Sequence, residues 1–139
     1  MQPYLLIADD AMSLTARIKS YFTARGYRVH SVADGLECIE SMQLELPDVV
    51  LLDCELLWGG CDGILSWMQE ELVRSRIPVI MMSELSCHEK HHPSVAYQIR
   101  RPFDVETLFQ AVHSVIAGTR QSLSNGSVFK GQEAIAMVD

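Results

Sequence analysis

The 139-residue sequence contains no apolar run that approaches the ~20 residues needed to cross a membrane. Basic residues are also few, because 11 Lys and Arg stand against 18 Asp and Glu and give a formal net charge of −7. A nucleic-acid binder needs clustered Lys and Arg to neutralise phosphates. We therefore expect no membrane and no direct nucleic acid among its partners. The N-terminus also lacks the basic, apolar and small-residue order of a secretion signal.

Cysteine pairs at CxxC spacing are absent. The four cysteines, Cys38, Cys54, Cys61 and Cys87, are scattered along the chain. Two disulfides would need a secreted context, for which the sequence supplies no signal. We expect reduced thiols and a cytoplasmic location.

What the chain does have is an alternation of short apolar runs with helix-period segments, in a globular composition of 48% apolar and 21% charged residues. Runs 4–8, 49–52 and 79–82 are too continuous for half-exposed strands and predict strands buried on both faces. Run 27–32 alternates more, as an edge strand does, and run 96–99 predicts a weaker fifth strand. This order predicts an α/β fold, a parallel sheet with helices on both faces.

Four connecting segments carry apolar residues at helical spacing. These are Leu14, Ile18, Tyr21 and Phe22; Leu36, Ile39 and Met42; Ile64, Met68 and Leu72; and Leu108, Val112, Val115 and Ile116. Gly26 is expected to stop the first helix, and Asp62 and Asp104 are expected to cap the third and the last. Ser86 and Glu89 have capping-box spacing and predict a short helix between the fourth and fifth strands.

Residues 118–139 differ in composition from the rest, since they are rich in Gly and Ser. We expect a domain over residues 1–117, followed by a C-terminal tail over 118–139. The tail is either flexible or a short added element that folds back, or the stub of a linker.

Polar side chains follow the predicted strands. Asp9 and Asp10 end the first, Asp53 the third and Ser83 the fourth, and Arg101 follows the fifth. In an open parallel sheet, ligands bind at the carboxyl ends of the strands. Three carboxylates there repel one another and favour a bound cation, and oxygen-only ligands point to Mg²⁺. A hydroxyl and a guanidinium beside them would suit a phosphoryl group.

With these residues in this order, the chain resembles the receiver domain of bacterial response regulators in two-component signalling. The resemblance spans nearly all of residues 4–117. It rests on Ile7-Ala8-Asp9-Asp10, Gly26-Tyr27, Asp34-Gly35, Pro47-Asp48-Val49-Val50-Leu51-Leu52-Asp53, Asp62-Gly63, Pro78-Val79-Ile80-Met81-Met82-Ser83 and Arg101-Pro102-Phe103. It implies a flavodoxin-like, doubly wound sheet of five parallel strands in the order 2-1-3-4-5.

The resemblance also implies a chemistry. Asp53 would accept a phosphoryl group from a histidine kinase or a phosphotransfer protein. Asp9, Asp10, Asp53 and the backbone carbonyl of Glu55 would hold Mg²⁺. Ser83 takes the family's Thr/Ser switch position, and Arg101 stands where the family has Lys. The signal would pass to a downstream protein target, with a homodimer possible, through the face of the fourth helix, fifth strand and fifth helix. Such a receiver is not an enzyme beyond slow self-dephosphorylation.

The chain departs from the family pattern at the position three residues before Arg101, where Gln98 replaces the usual aromatic switch residue and Tyr97 is its neighbour. Either a register shift compensates with Tyr97, or the coupling between hydroxyl and aromatic ring is altered. Two other functions stay open at this point. One is an interaction module of the same fold that is not phosphorylated. The other is a metal-dependent phosphohydrolase, in which Glu55 would stand at the usual acid/base Asp.

Overall fold

Five parallel strands form one sheet in the order β2-β1-β3-β4-β5 in the computed structural model, which describes residues 2–56, 60–83 and 93–125. The strands are β1 (Tyr4–Ala8), β2 (Arg28–Val32), β3 (Val49–Asp53), β4 (Val79–Ser83) and β5 (Val95–Arg100). The helices are α1 (Met12–Thr23), α2 (Gly35–Leu44), α3 (Gly60–Gln69), α4 (Leu72–Ser75) and α5 (Val105–Asn125). The predicted fold class and strand order are confirmed.

Burial along the strands follows the apolar pattern of the sequence. Every residue of β1, β3 and β4 is buried, which is why these strands read as continuous apolar runs. In β2 exposure alternates, as predicted for an edge strand. Helices on both faces bury the three central strands, and this burial provides the main driving force for folding.

Two apolar clusters, one on each face of the sheet, make up the core. The first packs Ile18 and Phe22 of α1 with Leu108 and Val112 of α5. The second packs the buried residues of α2 and α3, among them Met42 and Met68, against the opposite face. The inward residues predicted for α1 and α5 thus lie in or against the first cluster. Gly26 follows the end of α1 with φ +92°, a left-handed conformation that favours glycine.

Two residues of the predicted stripes do not face the core. Leu36 is 57% exposed, because α2 is rotated so that Gly35, Cys38 and Met42 face the sheet instead. Leu72 is 66% exposed, because α3 ends at Gln69 and Leu72 begins the separate helix α4. The sequence spacing identified both helices but misplaced the edge of the apolar face of α2 and the C-terminal end of α3.

The predicted helix caps give different results. Asp104 is confirmed as a cap, since its Oδ1 accepts a hydrogen bond from the Glu106 N–H at 3.4 Å. Asp62 is not an N-cap, because α3 already begins at Gly60 and Asp62 lies in its first turn. A carboxylate in that turn still complements the positive end of the helix dipole.

The connections around β4 and the chain end add three findings. The short helix α4 precedes β4 and was not predicted. The helix predicted from Ser86 and Glu89 lies outside the described residues. Helix α5 continues past residue 117 to Asn125, and the division into a domain and a tail stays a prediction. None of the helices in the described residues is long and apolar enough to cross a membrane.

Candidate functional site

Three carboxylates meet at the carboxyl edge of the sheet. Strands β1 and β3 are paired neighbours, so the residues that follow or end them, Asp9, Asp10 and Asp53, come together. One carboxylate oxygen from each lies within 4.8 Å of the others. Asp9 and Asp53 are buried and Asp10 is exposed. The cluster predicted from the strand ends is therefore present in the fold.

Arg101 places its guanidinium between the two buried carboxylates. Its Nη1 lies 3.2 Å from Asp53 Oδ1, and its Nη2 donates to Asp9 Oδ2. Burial by itself would lower the pKa of Arg101, but the charges of Asp53 and Asp9 outweigh it and raise that pKa. The side chain therefore stays a permanent cation at the centre of the acidic cluster.

Backbone donors fix the orientation of both buried carboxylates. The Ala11 N–H donates to Asp9 Oδ1 at 2.9 Å, and the Glu55 N–H donates to Asp53 Oδ1 at 3.1 Å. Within the described ranges, no donor contacts the second oxygen of Asp53, Oδ2. Among the described residues, one oxygen of Asp53 is thus held by two donors and the other by none.

The donor set fits a hard divalent cation. Three carboxylates face one guanidinium, so negative charge remains in excess at the cluster. All three carry oxygen ligands, the kind that Mg²⁺ prefers, and Mg²⁺ commonly uses one or two carboxylates with water and backbone carbonyls. Asp10 makes no hydrogen bond or ion pair with any described residue, and one of its oxygens lies with those of Asp9 and Asp53.

Ser83 and the backbone of Arg101 border this cluster. Met82 pairs with Asp53 across β3 and β4, so Ser83, the next residue, ends β4 beside the end of β3. Ser83 is buried, and its carbonyl accepts a hydrogen bond of 2.8 Å from the Arg101 N–H. That hydrogen bond connects the end of β4 to the segment that carries the guanidinium.

The register of β5 separates Tyr97 from Ser83. Pairing shifts by one residue between Val79 and Ile80, so Tyr97 lies opposite Ile80 and Gln98 opposite Met81. Side chains alternate along a strand, so Gln98 shares the sheet face of Ser83, whereas Tyr97 lies on the other face. Tyr97 packs against the first core cluster, where burial raises its pKa. The register shift thus does not bring Tyr97 to the switch position.

Two features of the site were not predicted. Arg101 contacts Asp9 as well as Asp53, although the sequence suggested only a phosphoryl ligand. The thiols of Cys54 and Cys61 lie 3.7 Å apart beside the acidic cluster. The seven-residue separation of the cysteines matches no metal or redox motif, so no signal in the sequence could have found that contact.

Comparisons with known proteins agree with this architecture. The family model described as the response regulator receiver domain matches residues 5–113. The chain is similar to Protein Rrf1 of Nitratidesulfovibrio vulgaris, with 27% identity over 119 residues, 84% of this chain and 85% of that protein. It is also similar to Sporulation initiation phosphotransferase F of Bacillus subtilis, with 29% identity over 116 residues, 81% of this chain and 92% of that protein.

Among solved structures, the fold resembles the receiver domain of a sensor histidine kinase from Pseudomonas aeruginosa, which holds a magnesium ion in its active-site cleft. The TM-score is 0.75 at 21% identity, over 84% of this chain and 99% of that one. The family model covers most of the chain and includes Asp9, Asp10, Asp53, Ser83 and Arg101. The protein belongs to the response-regulator receiver-domain family of two-component signalling.

Proposed function

We propose that the protein is a phospho-accepting receiver that a histidine kinase or a phosphotransfer protein phosphorylates on Asp53 in a Mg²⁺-dependent reaction. One observation carries the proposal. Asp53 is buried with Oδ1 held by the Glu55 N–H and by Arg101, while Oδ2 accepts no hydrogen bond from the described residues. This asymmetry leaves one oxygen of a fixed carboxylate available as a nucleophile.

Oδ2 of Asp53 would attack the phosphorus of a phosphohistidine. The new bond joins that oxygen to phosphorus, the phosphorus–nitrogen bond breaks, and the imidazole leaves. Little covalent work falls to the protein in such a transfer, so positioning and charge stabilisation carry the catalysis. Asp53 is positioned by a strand buried on both faces and by two donors on Oδ1.

The cation would be held by Asp9, Asp10, Asp53 and the backbone carbonyl of Glu55. When bound, Mg²⁺ supplies positive charge to the oxygens of the transferred group. The oxygen-only donor set and the magnesium ion in the similar Pseudomonas aeruginosa receiver support this assignment. Arg101 would donate from N–H groups of its guanidinium to the phosphoryl group, and the Ser83 hydroxyl would donate to one of its oxygens.

We further propose that the acyl phosphate biases two conformations of a face that comprises β5, α5 and the helix predicted from Ser86 and Glu89. A downstream protein target, or a second copy in a homodimer, would bind that face. Gln98 lies on the sheet face of Ser83, so a polar side chain occupies the position where the family usually has an aromatic ring. The proposed location is cytoplasmic, and the only proposed turnover is slow self-dephosphorylation.

The test uses a small phosphodonor such as acetyl phosphate, with and without Mg²⁺, and intact mass as the readout. The wild type should gain one phosphoryl group only with Mg²⁺, and Asp53→Asn should gain none. Glu55→Gln is a matched control, because it removes an exposed carboxylate two residues away and leaves the proposed backbone ligand in place.

Phosphorylation of Asp53→Asn at the wild-type rate would refute the assignment of Asp53. No incorporation in the wild type would favour the non-phosphorylated interaction module instead. Multiple turnover of a phosphomonoester that is lost in Glu55→Gln would favour the phosphohydrolase, because Glu55 stands at the acid/base position of that class.

A further inference from the structure

Two thiols meet directly beside the proposed phosphoacceptor. Cys54 follows Asp53 at the end of β3, and Cys61 lies in the first turn of α3. Their Sγ atoms are 3.7 Å apart. Cys54 is half-buried and Cys61 is buried, so Cys54 is the more accessible residue of the pair.

We propose that Cys54 and Cys61 are a redox-active pair that closes into a disulfide and thereby slows phosphoryl transfer to Asp53. The disulfide itself is independent of the proposed function, whereas its effect on phosphoryl transfer rests on that function. The receiver would then respond to oxidising conditions as well as to its phosphodonor.

The distance favours closure of this pair. A disulfide has a sulfur–sulfur bond of about 2 Å, so the two thiols must approach by less than ~2 Å. Both lie at the ends of the connection between β3 and α3, where Cys61 belongs to the second apolar cluster and Cys54 packs against it.

The oxidant would be a low-molecular-weight disulfide. The Cys54 thiolate attacks one sulfur of that molecule, which forms a mixed disulfide and releases one thiolate. The Cys61 thiolate then attacks the Cys54 sulfur and displaces the second thiolate. The two protons of the protein thiols end on the two released small thiols, and the two electrons reduce the small disulfide. The partial exposure of Cys54 and the burial of Cys61 determine this order.

Closure would disturb the turn that holds Asp53. The Cys54 N–H donates to the Met82 carbonyl at 2.8 Å, and the Leu56 N–H donates to the Asp53 carbonyl at 3.2 Å. Between them, the Glu55 N–H holds Asp53 Oδ1. Drawing the Cys54 side chain towards α3 pulls on this turn. A misplacement of about 1 Å in a reacting group can slow a reaction by ~100-fold, so we expect a slowing of about tenfold or more here.

The first arm of the test needs no phosphodonor. The full chain carries Cys87→Ser, because Cys87 lies outside the described residues, and it is incubated with oxidised glutathione. We expect a loss of two hydrogen atoms and a Cys54–Cys61 cross-linked peptide in a non-reducing digest. Adding Cys61→Ser should trap the glutathione adduct on Cys54, whereas adding Cys54→Ser should leave the protein unmodified because Cys61 is buried.

The second arm compares phosphorylation of the oxidised and reduced forms by acetyl phosphate with Mg²⁺. The oxidised form should react about tenfold more slowly and recover on reduction, and the Cys61→Ser protein that was never oxidised should match the reduced form. A stable glutathione adduct without cross-linking, or no reaction at Cys54, would overturn the pair. A cross-linked protein that reacts at the reduced rate would overturn the regulatory effect. If the cross-link forms but the reduced form is not phosphorylated either, the proposed function fails and the thiol pair stands.

Discussion

Replacing Arg101 by Gln tests the charge balance of the acidic cluster. Arg101 is the one cation that the described residues place between Asp9 and Asp53, and the three side chains are only 17%, 1% and 9% exposed. Solvent therefore screens these contacts little. Removing one partner of a buried ion pair typically costs about 3 kcal/mol or more. We expect Arg101→Gln to lose about 3 kcal/mol of unfolding free energy without Mg²⁺, a Tm drop on the order of 10 °C.

Two further variants separate charge from geometry. Arg101→Lys keeps the charge but not the planar fork, so it can pair closely with only one carboxylate and should lose about half as much, or ~1.5 kcal/mol. Arg100→Gln is the matched control, because it removes the same charge from the exposed neighbouring residue and should change stability by less than ~0.5 kcal/mol. Thermal unfolding followed by circular dichroism measures all three.

Magnesium should reverse the effect. Mg²⁺ that binds only the folded state adds RT ln(1 + [Mg²⁺]/Kd) to the unfolding free energy of each protein, so the gap closes only as far as the variant binds Mg²⁺ more tightly than the wild type. Loss of the competing guanidinium should tighten binding to Arg101→Gln, and a 100-fold lower Kd would add about 2.7 kcal/mol more to the variant than to the wild type, which closes most of the gap. The pKa of Arg101 is raised, so its stabilising contribution is fully present below its ordinary value and is lost only in strongly alkaline solution. The gap should therefore be equal at neutral and mildly alkaline pH. Equal unfolding temperatures for Arg101→Gln and Arg100→Gln without Mg²⁺ would refute the reasoning.

Three other predictions concern the scaffold. Asp34→Ala should lower the free energy of unfolding by about 1 kcal/mol, because the Asp34 side chain caps α2 by accepting a hydrogen bond from the Glu37 N–H. Chemical denaturation measures this loss, and an unchanged midpoint would contradict the prediction. Leu65→Ala should lower the free energy of unfolding by about 3 kcal/mol and Leu72→Ala by far less, since Leu65 is buried and Leu72 is exposed. Equal losses for the two variants in the same assay would contradict this packing. Cys38, with its pKa raised from 9.0 to about 12, stabilises the fold below pH 9.0 and loses this contribution as pH rises towards 12. Cys38→Ala should therefore show a shallower decline of stability over that range, by ~1.4 kcal/mol per pH unit.

The sheet and the composition of the site follow from patterns that are visible in the sequence. Apolar runs on three strands must be buried on both faces, and only a parallel sheet with helices on each side does this for a chain of such β–α alternation. Because the carboxyl ends of parallel strands share one edge, the placement of Asp9, Asp10 and Asp53 together followed from their positions in the chain. These features depend on local patterns, which a sequence displays directly.

The contacts that cross between elements arise from packing in three dimensions. The rotation of α2 exposes Leu36, although its spacing suits the core, because packing against the sheet selects the other side of the helix. The one-residue shift in β5 determines that Gln98 and not Tyr97 shares the face of Ser83. The bridge from Arg101 to Asp9 and the approach of Cys54 to Cys61 depend on side-chain positions to within an ångström or two. Periodicity and spacing do not specify distances of that size, because they arise only once the elements are packed against one another.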